Sequence, residues 1–133
     1  MNKLSDYGRS FQIKSIVLYM TDNEFTAQII DILDSKSYQS ESLQWIVEQS
    51  KQYFLKYKKT ISFDAFKIKV SELQSEIVIT AVKEDLKDVY KSIESEDLEY
   101  VKDNILTFFK NQRIKQAIMQ SVDILESSDS ILL

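Results

Sequence analysis

Apolar residues recur at three- and four-residue spacing along most of the chain, which is the periodicity of helices with one buried face. In residues 7–20 this spacing predicts a first helix, whose inward residues are Phe11, Ile13, Ile16, Val17 and Met20. Thr21 and Glu24 form a T-x-x-E capping box, which predicts that a second helix follows with almost no connection. Its inward residues are Phe25, Ile29, Ile32 and Leu33.

A polar break at residues 34–37 separates this pair from a third predicted helix, which begins after the N-cap Ser40 and ends near Lys58. Its wide apolar face is typical of the central helix of a small bundle. Ser62 caps a fourth helix, although partial alternation over residues 61–70 leaves a strand as the competing interpretation. A fifth helix is predicted over residues 76–93.

Helical periodicity then continues without interruption from Ser95 to about Ser127, which predicts one helix about 45 Å long. Its apolar face shifts after residues 111–113. We therefore expect the first half to form an antiparallel hairpin with the fifth helix and the second half to return to a different core. The two faces consist of Leu98, Val101, Ile105 and Phe108, and of Ile114, Ile118, Val122 and Leu125.

The predicted fold is all-α, with a compact head of about four helices and a long helical hairpin. A hairpin that leaves the body buries little apolar surface within one chain, so we expect self-association. The expected contact residues are Tyr90, Val101, Phe108 and Phe109. We assign residues 1–127 to one domain and the small polar residues that begin at 128 to a linker or tail that ends at residue 133.

Composition excludes most catalytic chemistry. The 133 residues contain no histidine and no cysteine, which rules out imidazole bases, thiol nucleophiles, disulfides and ordinary zinc sites. Gly8 is the one glycine and there is no proline, so neither a phosphate-binding loop nor a dinucleotide fingerprint is present. We therefore expect no cofactor and no enzymatic activity in this chain.

Charge and hydropathy narrow the possible partners. The net charge is −4, which argues against a general nucleic-acid surface. It is divided unevenly, because residues 1–70 carry 10 basic and 8 acidic side chains whereas the remainder carries 7 and 13. No apolar run has the length of a membrane span, and the first residues lack the apolar core of a signal peptide, so a cytoplasmic protein is expected.

Two acidic clusters and one basic cluster are candidate sites. Carboxylates at residues 84–88 and 94–99 are oxygen ligands of the kind that Mg²⁺ or Ca²⁺ binds, but acidic residues at a helix start are explained by the helix dipole. The basic and aromatic stretch with Lys56, Lys58 and Lys59 is the best nucleic-acid candidate. The alternative is that its aromatic residues belong to the core and its lysines lie at a helix C-terminus.

The order of elements resembles the N-terminal domain of a DnaB-type replicative DNA helicase, particularly the bacteriophage versions. The resemblance covers about residues 7–127. It rests on FQIKSIVLYMTDNEF at 11–25, on Ile32-Leu33-Asp34 with Tyr38 nearby, on Trp45-Ile46-Val47, on residues 62–73, and on NQRIKQAIMQSVDIL at 111–125.

This resemblance implies a non-catalytic domain with a helical head and hairpin, which forms dimers in a collar and docks primase or a helicase loader. DNA would be contacted only through the full-length helicase, whose ATPase motor is not in this chain. The alternative is a free-standing phage adaptor, such as a helicase loader or an inhibitor of a host protein. A third hypothesis is a metal-dependent enzyme that uses carboxylates alone.

Overall fold

The computed structural model describes residues 3–132, and it describes side chains through residue 128. In this part of the chain there is no strand, which confirms the all-α prediction and the helical interpretation of residues 61–70. Short 3-10 helices at Leu4–Tyr7 and Ser35–Ser37 accompany the α-helices. The α-helices are α1 (Arg9–Thr21), α2 (Asn23–Ile29), α3 (Glu41–Tyr57), α4 (Phe63–Ser71), α5 (Glu76–Lys91) and α6 (Leu98–Leu132).

The central helix is α1, because α2, α3, α5 and α6 all pack against it. Every residue from Ser15 to Met20 is buried, so this part of α1 is enclosed on all sides. The sequence predicted α3 in this position and a single buried stripe on α1. That prediction is wrong because Gln12 and Ser15, two polar residues outside the predicted stripe, are also fully buried.

Two of the three N-caps predicted from the sequence, Ser40 and Ser62, are confirmed, and the third, Thr21, is wrong. The Ser40 and Ser62 side chains accept hydrogen bonds from the amides of Leu43 and Ala65, as predicted. Thr21 is not a cap but the last residue of α1, where its hydroxyl donates to the carbonyl of Val17 at 2.7 Å. The cap of α2 is Asp22, which accepts from the amide of Phe25, because one extended residue is needed between the two helices.

The expected hairpin of α5 and α6 does not form. Helix α5 packs against α1 and α3, whereas α6 packs against α1 and α2. Both helices bury side chains in the body because α1 offers a surface to each of them, as at Val82 and Val89 of α5 and at Val101 and Ile105 of α6.

Ion pairs attach the last two helices to the first two. The Arg9 guanidinium of α1 donates to Asp85 and Asp88 of α5 at 2.7 and 2.9 Å. The Lys14 ammonium lies 2.9 Å from Asp97, just before α6, and the hydrogen bond from Lys14 lowers the pKa of that carboxyl.

Helix α6 leaves the body after Arg113, whose guanidinium donates to the backbone carbonyl of Asp31 at 3.4 Å. All side chains from residue 114 to residue 128 are exposed, so the predicted return to a second core is wrong. The helix continues to Leu132, and the segment predicted as a linker therefore begins inside α6. Leu133 lies outside the described residues.

Candidate functional site

The most conspicuous exposed surface belongs to residues 114–128 of α6, which we call the α6 extension. At 100° per residue, four of its six large apolar side chains form a stripe on one side of the helix, whereas Met119 and Ile124 lie on other sides. The exposed fractions of Ile114, Ile118, Val122 and Leu125 are 58, 58, 42 and 65 %. Ala117 and Ser121 border this stripe, and both are small. An uncovered apolar stripe of this length is typical of a helix that binds another protein surface.

A second apolar surface is the groove between α4 and α5, with a volume of about 810 Å³, which we call the α4–α5 groove. Its rim carries Lys67, Lys83 and Lys87 with a single acidic side chain, Glu76. Its apolar lining consists of Phe63, Val70, Ile79, Leu86 and Tyr90.

The groove exists because α4 and α5 meet closely only at their ends. Four residues, 72–75, join the helices at one end, and Ser75 caps α5 by accepting from the amide of Val78. At the other end, the rings of Phe63 and Tyr90 meet edge to face with centroids 5.6 Å apart. The groove lies between these two ends, lined by Val70, Ile79 and Leu86.

Of the four residues predicted for self-association, three are buried and one is exposed. Val101, Phe108 and Phe109 are at most 4 % exposed, and all three belong to the chain's own core. Phe108 packs edge to face on Phe109, with ring centroids 5.0 Å apart. Only Tyr90 is exposed, and it lines the α4–α5 groove. The first three side chains would therefore contact a second copy only if the fold opened.

The basic stretch lies at the C-terminal end of α3, where Lys56, Lys58 and Lys59 are all exposed. Lys58 is the C-cap and has a left-handed backbone, with φ 59. The ammonium of Lys56 lies 5.3 Å from the centre of the Tyr57 ring, which is itself half exposed. The lysines thus occupy the dipole-favoured end of α3, and one aromatic ring beside them is open to solvent.

The two acidic clusters are engaged in structural contacts. Asp85 is only 8 % exposed, and it accepts hydrogen bonds from Arg9 and from the hydroxyl of Ser42. Asp88 accepts from the same guanidinium, and Asp97 pairs with Lys14. Among the described residues, no three carboxylates lie in an arrangement that could hold a metal ion.

One polar cluster that the sequence did not reveal lies inside the body. The hydroxyl of Tyr38 is 2.6 Å from that of Ser15 and 2.7 Å from that of Tyr19. Burial raises the pKa of both tyrosines, so both stay protonated at neutral pH. All three residues are at most 2 % exposed, which leaves no access for a substrate, and the cluster therefore stabilises the core.

Comparison with known proteins adds no relative. No protein-family model matches the chain, and neither does any curated protein or solved structure. Within the described residues, no helix has an apolar stretch long enough to cross a bilayer, and the 35-residue α6 interrupts its apolar positions with charged ones.

Proposed function

We propose that this chain is a non-catalytic helical domain of a replicative DNA helicase, which joins copies of the protein and docks primase or a loader. The observation that carries the proposal is the α6 extension, which presents an apolar stripe that the body does not cover. Monomeric proteins rarely leave such a stripe exposed unless another surface binds to it.

Two further features support this function. The sequence resembles the N-terminal domain of the DnaB-type helicases over most of its length, and that domain mediates assembly and contains no ATPase. Among the described residues the most deeply buried acidic side chain, Asp85, is bound to Arg9 and Ser42, which assigns it to stability. The chemistry of the assembly would then reside in a motor that is separate from this domain.

The proposal is tested by measuring the mass of the chain and its binding to the primase of the same replication system. Light scattering over a range of concentrations is expected to show a dimer or a larger assembly, and calorimetry is expected to show primase binding. A chain that stays monomeric at high concentration and binds neither primase nor loader would contradict the proposed function.

A free-standing phage adaptor, such as a helicase loader or an inhibitor of a host protein, is the second candidate. The observation that favours it is that α5 and α6 do not pair, whereas the helicase resemblance implies a hairpin. The coding sequence discriminates between the two candidates. A reading frame that continues into a G-x-x-x-x-G-K-[ST] motif supports the helicase domain, and a stop directly after Leu133 supports the adaptor.

A further inference from the structure

We propose that the α6 extension of one copy binds in the α4–α5 groove of a second copy. The proposed function includes self-association, and this contact specifies the two surfaces that associate. The inference therefore rests on the self-association part of the proposed function alone. It does not involve primase or any other partner.

The two surfaces complement each other in shape and hydropathy. The groove is a concave apolar channel between two helices, and the extension is a convex helix with an apolar stripe along one side, the pair of shapes that helix-in-groove recognition uses. Along α5 the apolar lining runs from Ile79 to Tyr90, and along the extension the stripe runs from Ile114 to Leu125. The two end residues of each interval are eleven positions apart, which corresponds to about 17 Å of helix.

Their charges are also complementary. At the groove rim Lys67 is paired with Asp64 at 3.8 Å, and Lys83 and Lys87 outnumber the single Glu76, which leaves the rim positive. The extension carries two acidic residues and one lysine, so its net charge is negative. Opposite potentials favour encounter between these surfaces over encounter between two extensions, which have the same sign.

The contact must form between copies. Helix α6 is continuous from Leu98 to Leu132, so the extension cannot fold back onto its own body. Its packed half lies against α1 and α2, whereas the groove belongs to α4 and α5. The extension of one copy therefore has access to the groove of another copy, in a mutual exchange or in a head-to-tail series.

The test uses two variants of the full chain that each disable one surface. Lys83→Glu with Lys87→Glu reverses the charge of the groove rim, and Ile118→Ser with Leu125→Ser removes apolar contacts from the extension. All four side chains are exposed, so both variants are expected to keep the circular dichroism spectrum of the parent chain. Matched controls are Lys58→Glu with Lys59→Glu, and Ile68→Ser with Ile77→Ser, which make the same changes at exposed positions outside both surfaces.

In sedimentation equilibrium, each disabled variant is expected to associate with itself about tenfold more weakly than the parent chain, while the controls associate normally. Mixing the two disabled variants is expected to restore association as a 1:1 complex, because one supplies an intact extension and the other an intact groove. Only a contact between two different surfaces predicts this complementation.

Other outcomes overturn the inference. If the extension variant loses association while the groove variant keeps it, the extensions pair with each other or bind elsewhere, and the proposed function survives without this contact. If mixing does not restore association, the two surfaces are not partners. A parent chain that is monomeric at every concentration contradicts both this inference and the self-association in the proposed function.

Discussion

At the scale of single residues, the interior combines apolar packing with polar groups that satisfy one another. Among the described residues, every buried side-chain nitrogen or oxygen has a hydrogen-bond partner. Gln12 illustrates this, since its amide group donates to the carbonyl of Gly8 and accepts from the amide of Gln39. Such pairing lets polar residues occupy the centre of the molecule, because the free-energy penalty of burial falls on groups without partners.

The hydroxyl cluster gives the first prediction. Tyr38→Phe removes the hydroxyl that lies between Ser15 and Tyr19, and it takes one hydrogen-bond partner from each of these buried groups. We expect the free energy of unfolding to fall by about 1–3 kcal/mol. Urea denaturation followed by circular dichroism measures the change. Tyr100→Phe alters an exposed hydroxyl and serves as the control, and an equal effect of both substitutions would contradict the prediction.

A second prediction concerns the stability of the fold at acid pH. Partial burial acts to raise the pKa of Asp22, but hydrogen bonds from Lys102 and the amide of Phe25 outweigh it and hold the pKa below its ordinary value of 3.8. The folded state thus binds fewer protons than the unfolded state at acid pH. The resulting stability is present above that ordinary value, and it is lost as pH falls through the lower, folded-state pKa.

Asp22→Asn tests this effect, because asparagine keeps the N-cap hydrogen bond but carries no charge. We expect the variant to lose less stability than the parent chain between about pH 7 and about pH 3, as measured by urea midpoints. Asp64→Asn changes a highly exposed carboxyl and should leave the pH dependence as it is in the parent. If the urea midpoints of the parent chain and of the Asp22 variant changed equally with pH, Asp22 would not be the source of this pH dependence.

At the scale of elements, local signals predicted the helices better than their arrangement. Periodicity located the helices, and the serine caps of α3 and α4 were read correctly because a capping hydrogen bond is made within one turn. The hairpin was predicted from α5 and α6 alone. The hairpin prediction is wrong because both helices pack against α1. The sequence did not indicate this central position, because two of the fully buried residues of α1, Gln12 and Ser15, are polar.

The end of α3 gives a prediction at this scale. Lys58 has a left-handed backbone, which is unfavourable for a residue with a Cβ atom and readily adopted by glycine. We expect Lys58→Gly to raise the free energy of unfolding by about 0.5–1 kcal/mol, as measured by urea denaturation. Lys56→Gly makes the same change inside the last helical turn and should lower stability by about 1 kcal/mol. If both variants changed the free energy of unfolding in the same direction, the left-handed backbone of Lys58 would not explain the effect.

At the scale of the whole molecule, the candidate surfaces could be foreseen only in part. The face change after residues 111–113 correctly marked where α6 alters its surroundings, but a periodic apolar stripe looks the same whether it packs on its own body or on another copy. The α4–α5 groove depends on how far two helices diverge, and the spacing of Phe63, Lys67, Lys83 and Lys87 along the chain contains no information about that separation.

The division of α6 into a packed half and an extension leads to a final prediction. A chain that ends at Arg113 retains Phe108 and Phe109, together with every helix that packs on α1, and the described side chains that it lacks, those of residues 114–128, are all exposed. We expect its free energy of unfolding to lie within about 0.5 kcal/mol of the full chain, and its self-association to be lost. Urea denaturation and sedimentation equilibrium measure these two quantities separately.

A chain that ends at residue 107 is the matched control, because it also lacks Phe108 and Phe109, two core aromatic side chains whose loss is each expected to destabilise by about 3–5 kcal/mol. This shorter chain should be unfolded, since marginally stable domains rarely tolerate such a loss. If ending the chain at Arg113 were as damaging, the extension would belong to the folding unit rather than to an interface. Unchanged stability with lost association would instead mean that residues 114–128 serve contact between molecules, which is the property that both proposals require of them.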